Sequence, residues 1–382
     1  MIVLVFTLAF FYLAILLWLG RGLRLLEKWP PAPLQNFPTV TLVVCAKNEE
    51  SRLPRLLQAL AQQHYPAGKL EICLVDDRST DRTGELIAAF AAATHNVIPL
   101  RISDTLPNFA PKKRAIDTAI RHTTGEIILL TDADAEPGPQ WILEMARAFT
   151  PEVVMVCGYS PYWPRTTFWQ KILALEYFSH AAVAAGGSGQ GRPLTCTGSN
   201  MAYRREAYFS IGGFDGIAHW ISGDDDLLLH KMQKAGIGRI HYLATPAAHA
   251  PVRPPNSWRE FQAQRTRYAS KSLHYEPIMT FALALFFLLN LFLSAGLLAS
   301  FIIGGQVVPV LLIKALGEFL YLRQAAKIFG EKKLLAVFPI TALLHPFYVI
   351  YFAGRGQLAR FHWRGENFAA RQPQPLAESI AV

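Results

Sequence analysis

A chain of 382 residues that is 52% hydrophobic and only 17% charged, with a mean hydropathy of +0.21, is too apolar for an ordinary soluble domain and too rich in core-forming side chains for a disordered one. Part of it belongs in lipid. The net charge of +9 suits an anionic membrane surface or a phosphate-bearing ligand as well as nucleic acid. Cys45, Cys73, Cys157 and Cys196 lie far apart and offer neither a disulfide framework nor zinc-ligand spacing, which fits a reducing compartment.

In chain order, residues 1–20 carry no charge and are followed by Arg21, Arg24 and Lys28. A secretory signal has its charges before a shorter apolar run, so this pattern predicts a transmembrane anchor whose C-terminal side is cytoplasmic. A linker over 21–38, with Pro30, Pro31, Pro33 and Pro38, leads into a domain of mixed polarity over 39–256. Its apolar, β-branched runs predict strands over 39–45, 71–75, 97–102, 126–131 and 153–157, alternating with helices over 49–62, 80–92, 112–122 and 139–149. That alternation means an α/β fold with a mostly parallel sheet covered on both faces, and ligands then bind beyond the carboxyl ends of the strands. Residues 257–276 are basic and aromatic and read as an amphipathic interfacial segment.

Residues 277–354 hold two or three membrane helices, near 278–302, 307–323 and 334–353. Lys314 and Glu318 make the middle one a poor span and point to the interface. The tail, 355–382, is basic through Arg355, Arg360, Arg364 and Arg371, and so is expected inside. Three full spans here would leave that tail outside, so one segment is expected to be re-entrant or interfacial.

Four groups of residues carry chemistry. Asp77 ends the second strand, where a carboxylate can accept from a base or ribose, although Ser79, Thr80 and Asp81 also make this stretch a helix start. Asp132 and Asp134, one residue apart after an apolar strand, can hold a hard divalent cation; a solvated turn is the plainer alternative. Asp224, Asp225 and Asp226 open an apolar helix, where acidic residues favour the positive helix end. Three are more than a cap requires, and crowding can prepare one as a general base. Gln264, Arg265, Thr266, Arg267 and Tyr268 lie in the basic aromatic stretch. His180, His219, His241 and His249 have no metal-ligand spacing.

Taken in order, Ala46-Lys47-Asn48-Glu49-Glu50, Val75-Asp76-Asp77, Lys112-Lys113-Arg114-Ala115, Asp132-Ala133-Asp134, Thr197-Gly198-Ser199-Asn200, Gly223-Asp224-Asp225 and Gln264-Arg265-Thr266-Arg267-Tyr268 resemble a membrane-bound family 2 glycosyltransferase with the GT-A fold, of the ceramide glucosyltransferase type. The likeness covers about residues 39–272. It implies a Rossmann-like cytosolic domain flanked by N- and C-terminal transmembrane helices, in an integral protein of the inner membrane. It implies an inverting transfer from a nucleotide-sugar, usually UDP-linked, helped by Mg²⁺ or Mn²⁺. Asp77 would recognise the base, Asn48 and Glu49 would line the nucleotide pocket, and Lys112 would lie near the nucleotide end. Asp132 and Asp134 would hold the donor through the metal, and Asp225 would be the base with Asp224 beside it; an alignment shifted by one makes Asp224 the base. Gln264 and Arg267 match the family's Gln-x-x-Arg-Trp motif at the acceptor or diphosphate, with Tyr268 in place of Trp.

Such an arrangement is chemically coherent. An acceptor hydroxyl needs a carboxylate to take its proton, and the leaving diphosphate needs positive charge, which Arg267 can supply. The expected partners are a nucleotide-sugar, a lipid-soluble acceptor and the membrane, with no nucleic acid. Residues 258–271 would deliver that acceptor at the cytosolic face. The rival readings are a processive polysaccharide synthase, for which few spans are available, and a non-catalytic scaffold, against which the acidic clusters argue.

Overall fold

In the computed structural model, β1 (Val40–Ala46), β2 (Leu70–Asp77), β3 (Val97–Ile102) and β4 (Ile127–Asp132) run parallel in the order β3-β2-β1-β4. The structure describes residues 2–27, 36–66, 68–270, 277–300, 305–358, 361–363 and 366–368. Lys28, Pro30, Pro31, Pro33, Lys271, Arg360, Arg364 and Arg371 lie outside them. The central strands β1, β2 and β4 are almost wholly buried, which explains their unbroken Val, Ile and Leu runs. Helices α2 (Leu53–Ala61), α3 (Thr83–Ala93), α4 (Pro111–Arg121) and α5 (Trp141–Arg147) fall where periodicity predicts them, with ends trimmed by the loops.

The sheet continues as β4-β6-β5-β7, with β5 (Val153–Gly158), β6 (Met201–Arg204) and β7 (Arg239–Leu243). β6 runs antiparallel to both neighbours, while β7 is parallel to β5. Neither β6 nor β7 is expected from the sequence, because runs of four or five residues are too short to display a period. The register sets Cys45 opposite both Val75 and Asp132, and Ala46 opposite Asp76, so the acidic strand ends share one edge of the sheet. Because β6 is antiparallel, its entry segment, 197–200, arrives at that same edge.

The helical part begins with α1 (Ile2–Glu27) and includes α6 (Phe168–Gly189), α7 (Arg205–Ser210), α8 (Asp226–Ala235), α9 (Trp258–Ser270), α10 (Pro277–Leu298), α11 (Val308–Phe329) and α12 (Phe338–Leu358). A short hairpin, β8 (Phe361–Trp363) with β9 (Glu366–Phe368), follows. Helix α6 starts at a capping box, Thr167 with Gln170. It meets α1 backbone to backbone: a Cβ on Gly22 would lie 1.9 Å from the Gly186 carbonyl oxygen, and one on Gly189 2.0 Å from that of Gly22. Only glycine permits this approach.

Helix α1 is divided between two cores. Val5, Leu8 and Ala9 pack with Leu289 and Leu293 of α10 and Val310 and Leu311 of α11. Leu16, Leu19, Leu23 and Leu26 belong to the main core with Tyr321, Leu322, Ala325, Ala326 and Phe329 at the other end of α11. Helix α11 therefore runs beside α1 in the same direction, with Lys327 3.6 Å from Glu27 near the shared end. Its outer face is Leu312, Ile313, Leu316 and Leu320. Lys314 and Glu318 turn inward, pair at 2.7 Å and meet Tyr12 and His345.

By length and composition, α1, Met279–Leu298 and Lys332–Leu358 are long and apolar enough to cross a membrane; α11 is not among them. Packing ranks them differently. The segment that carries charge lies along α1 for its length, whereas α12 is fastened to the α/β domain at both ends. Leu334 and Val337, in the 3₁₀ turn before α12, enter the main core, and further along Phe352 packs on Phe261 while Arg355 donates to Thr266 of α9 at 3.1 Å.

Candidate active site

The carboxyl edge of the sheet opens into a cleft of about 830 Å³. Its floor comes from the ends of β1, β2 and β4, one wall from 197–199 and the start of α8, and its roof from α9 with Arg355 of α12.

At the nucleotide end named by the sequence reading, Asp77 is buried and faces the cleft, its two carboxylate oxygens accepting from Nε and Nη2 of Arg78 at 2.8 and 3.2 Å. The helix-start alternative falls to its neighbours: Asp76 accepts from the Ser79 N–H and Asp81 from the Thr83 N–H. Asn48 has φ of 55° and accepts from the Thr80 N–H at 2.8 Å, while the Glu49 N–H donates to Thr83 Oγ1 at 2.8 Å. These bonds stitch the β1 and β2 loops into one rim. Asn48 and Glu49 both line the cleft, so backbone positioning and pocket lining fall on the same residues.

At the centre, Lys112 at the start of α4 bridges Asp132 Oδ1 and Asp224 Oδ2, each at 2.9 Å. Burial opposes its charge, but Asp132 and Asp224 outweigh burial and hold its pKa well above that of an ordinary lysine. It thus sits between the two acidic groups, in the cleft that Asp77 also lines. Asp134 lines the same region. Burial pushes the Cys45 thiol up, which keeps it protonated and removes it as a nucleophile.

The three successive aspartates do three different things. Asp224 pairs with Lys112. Asp225 is the N-cap of α8, with Oδ1 accepting from the Asp226 N–H at 2.7 Å and Oδ2 from the Gly198 N–H at 3.2 Å, and it lines the cleft. Asp226 is buried and accepts from Thr195 Oγ1 and the Cys196 N–H, pinning the strand entry to the helix. Gly223 makes the turn possible at φ of 88°, where a side chain would also strike Leu227. The crowding expected from sequence is relieved because each carboxylate has its own donors.

On the roof, Gln264 accepts from the Tyr162 hydroxyl at 2.9 Å and from Arg265 Nη1 at 2.8 Å. Arg265 is buried against Glu176 of α6, and the rings of Tyr177, Phe261 and Tyr268 surround its guanidinium. Arg267 and Tyr268 line the cleft, with the Arg267 guanidinium 5.1 Å from the Tyr268 ring. Tyr268 therefore serves as a ring between two arginines, a part that a tryptophan would also play.

Sequence reasoning missed Tyr162, Tyr177 and Arg355 in the lining. No local signal marks the two tyrosines, and Arg355 reads only as the first charge after an apolar run.

The arrangement defines a class: a GT-A domain with a carboxylate-lined cleft at one edge of its sheet and apolar flanking helices. The family described as Glycosyl transferase family 2 matches residues 41–211, and Glycosyl transferase family group 2 matches 127–353. The chain belongs to the family 2 glycosyltransferases. It is 26% identical over 250 residues to a probable glycosyltransferase of Bacillus subtilis, YdaM, covering 64% of this chain and 58% of that protein. It is 30% identical over 187 residues to the beta-monoglucosyldiacylglycerol synthase of a Nostoc species, covering 47% and 38%. The chain spans about half the length of these curated relatives. Among solved structures, a mannosyltransferase of Pyrobaculum calidifontis in complex with GDP-Man and Mn²⁺ superposes with a TM-score of 0.59 at 24% identity, covering 90% of this chain and 99% of that one, which is a likeness of fold.

Proposed function

We infer that this enzyme is an inverting hexosyltransferase that moves a sugar from a nucleotide-diphosphate sugar, UDP-linked, to the hydroxyl of a membrane lipid, with its catalytic domain on the cytoplasmic side of the inner membrane. The observation that carries the reading is the composition of the cleft: donor-type carboxylates on the floor and, in the roof, Arg355 from an apolar helix. A soluble acceptor has no need of such a roof. The names of the Nostoc and Synechocystis relatives, both beta-monoglucosyldiacylglycerol synthases, agree with it.

In this reading Asp77 and the Asn48–Glu49 rim receive the nucleoside, and Arg267 and Arg355 face the diphosphate or the acceptor. Asp225 takes the acceptor proton. Asp224 is the weaker choice because the Lys112 ammonium, 2.9 Å away, competes for its Oδ2. One displacement at the anomeric carbon inverts it and needs no covalent enzyme intermediate.

Asp132 and Asp134 fit a divalent cation of the Mg²⁺ or Mn²⁺ kind: both are hard oxygen donors at the cleft, and one or two carboxylates plus phosphate oxygens is a usual shell for such an ion. Among the described residues no three His, Cys, Asp or Glu side chains form a metal cluster, so a cation held by Asp132 and Asp134 would need further oxygens from the nucleotide-sugar or water. The cation would neutralise charge on the leaving diphosphate.

For the membrane, the reading is that α1, α10 and α11 cross it and α12 lies along the interface. What supports it is the inward turn of Lys314 and Glu318 and the attachment of α12 at both ends to the α/β domain. The parity then works: a cytoplasmic domain after α1 and a cytoplasmic basic tail after α12.

Membrane fractions incubated with labelled UDP-sugars, one at a time, test the function. Label in the organic extract is the expected result. Label in insoluble polymer would make the protein a synthase, and label in neither would remove the UDP-sugar assignment.

A further inference from the structure

Large aromatic side chains normally leave water when a core is available. Among the described residues of this α/β domain five do not: Phe209, 42% exposed, stands apart on α7 under Arg121, while Trp163, Phe168, Trp169 and Trp258 are 59%, 55%, 41% and 52% exposed. The last four come from two stretches that sequence separates widely, the entry of α6 and the entry of α9, and the fold joins them. The Trp169 ring lies 5.9 Å from Trp258 and 5.7 Å from Phe261, and Phe261 in turn packs on Phe352 of α12 at 5.5 Å.

The patch reaches the apolar stripe of α12. That helix exposes Ile340, Leu343, Leu344, Phe347 and Tyr351 at helical spacing, and Gln262, one turn after Trp258, donates to the Tyr351 hydroxyl. The far end of α6 is fixed as well. Gly186 and Gly189 touch Gly22 of α1, next to Arg21, the first charge after the uncharged run. At a rise of about 1.5 Å per residue, α6 sets about 26–32 Å between its contact with α1 at Gly186 and Gly189 and the exposed rings of Phe168 and Trp169. Beside them, Ser257, Arg259 and Glu260 line the cleft, as does Tyr162 next to Trp163.

We propose that Trp163, Phe168, Trp169 and Trp258 form a lip that inserts into the interfacial zone of the phospholipid bilayer and holds the mouth of the cleft against it. Indole and phenyl rings favour that zone, and Arg259 and Lys171 flank the lip with charge suited to anionic headgroups. The lip deepens the lipid-acceptor reading and rests on it. A second anchoring point, about 30 Å along α6 from α1, keeps the domain from rocking away, so an acceptor hydroxyl reaches the cleft while its chains stay in the bilayer.

The test reads depth directly. With the native cysteines replaced, spin labels at Trp163→Cys, Phe168→Cys and Trp169→Cys, and at Glu85→Cys on α3 as a water-facing control, are compared in nanodiscs of phosphatidylcholine and phosphatidylglycerol. Collision with oxygen should exceed collision with a water-soluble nickel chelate at the three lip positions and be reversed at the control. A nickel-dominated signal at all four overturns the lip, whatever the enzyme's substrates prove to be. In membranes that label lipid, Trp169→Glu with Trp163→Glu should lower transfer by about tenfold or more while UDP affinity changes by less than about twofold. Unchanged transfer would count equally against it. Failure of the wild type to label lipid would strike the proposed function and leave the depth measurement standing.

Discussion

Among the polar networks of the described residues, those of the cleft and those beneath its roof are built on opposite terms. The cleft network of Lys112, Asp132 and Asp224 has side chains up to about a third exposed, and its charges stay within reach of a ligand. The network beneath the roof, Arg265 with Glu176, and farther on Lys314 with Glu318, is sealed, and tyrosines satisfy its spare acceptors: Tyr348 donates to Glu176 and Tyr12 to Glu318. Burial alone would raise the Glu176 pKa, yet Arg265 holds it below the usual carboxylate range. An accessible network can exchange partners during turnover; a sealed one fixes helices. The first should therefore fail in rate and the second in stability.

The largest effect is expected from Asp225→Asn. The amide keeps the shape and one of the two backbone contacts, to Asp226 or to Gly198, but cannot serve as a base, so turnover should fall by about 10²–10⁴-fold with UDP affinity little changed. Initial rates and UDP titration read this, and equal losses in both would recast Asp225 as a binding residue. Asp224→Asn in parallel checks the register of the assignment.

Next comes Glu176→Ala. It strands the buried Arg265 guanidinium and should cost about 3–5 kcal/mol, seen as a lower melting temperature in detergent. Replacing both partners with apolar residues should cost less. If the single and double variants melt together, the pair does not hold α6 to α9.

Asp132→Ala and Asp134→Ala should lower metal-dependent turnover by about 10²–10³-fold while expression and melting stay near wild type, because Asp132 ends β4 and Asp134 lies on the turn after it, both lining the cleft and not the core. Near wild-type rate without added metal in either variant would cancel the cation site.

The smallest effect is on pH. Burial first, with Arg239 added for His241, pushes His241 and His249 down to about 4 from an ordinary 6.5. Between those values the unfolded chain binds protons that the folded chain refuses. Stability should therefore fall as pH drops through that window, by about 1.4 kcal/mol per unit for each histidine, and be flat above it. Melts from pH 7.5 to 5 on wild type and on His241→Gln with His249→Gln measure the slope; an unchanged slope would remove these residues as its source.

Much of the α/β half was legible because its signals are local. Strands β1 to β5 and helices α2 to α5 announce themselves by buried apolar runs and periodicity, and Asp77, Asp132, Asp134 and Asp225 by following a strand or opening a helix. Helix α6 was not, because Ala- and Gly-rich turns give it little contrast between faces, and its buried Glu176 has no meaning until Arg265 stands beside it.

Sequence alone determined which segments are apolar enough for lipid, which strands must be central, and which acidic residues sit at chain turns, since composition and period are properties of neighbours in the chain. Tertiary structure decided the rest. It turned Lys314 and Glu318 inward, so that a segment carrying charge lies beside α1 with an apolar outer face. It separated three adjacent aspartates into an ion pair, a cap and a buried clasp, and it brought Arg355 into the cleft that Asp225 lines. Each of these depends on a partner distant in sequence, and the energy of a buried charge is set by that partner and not by the residues on either side.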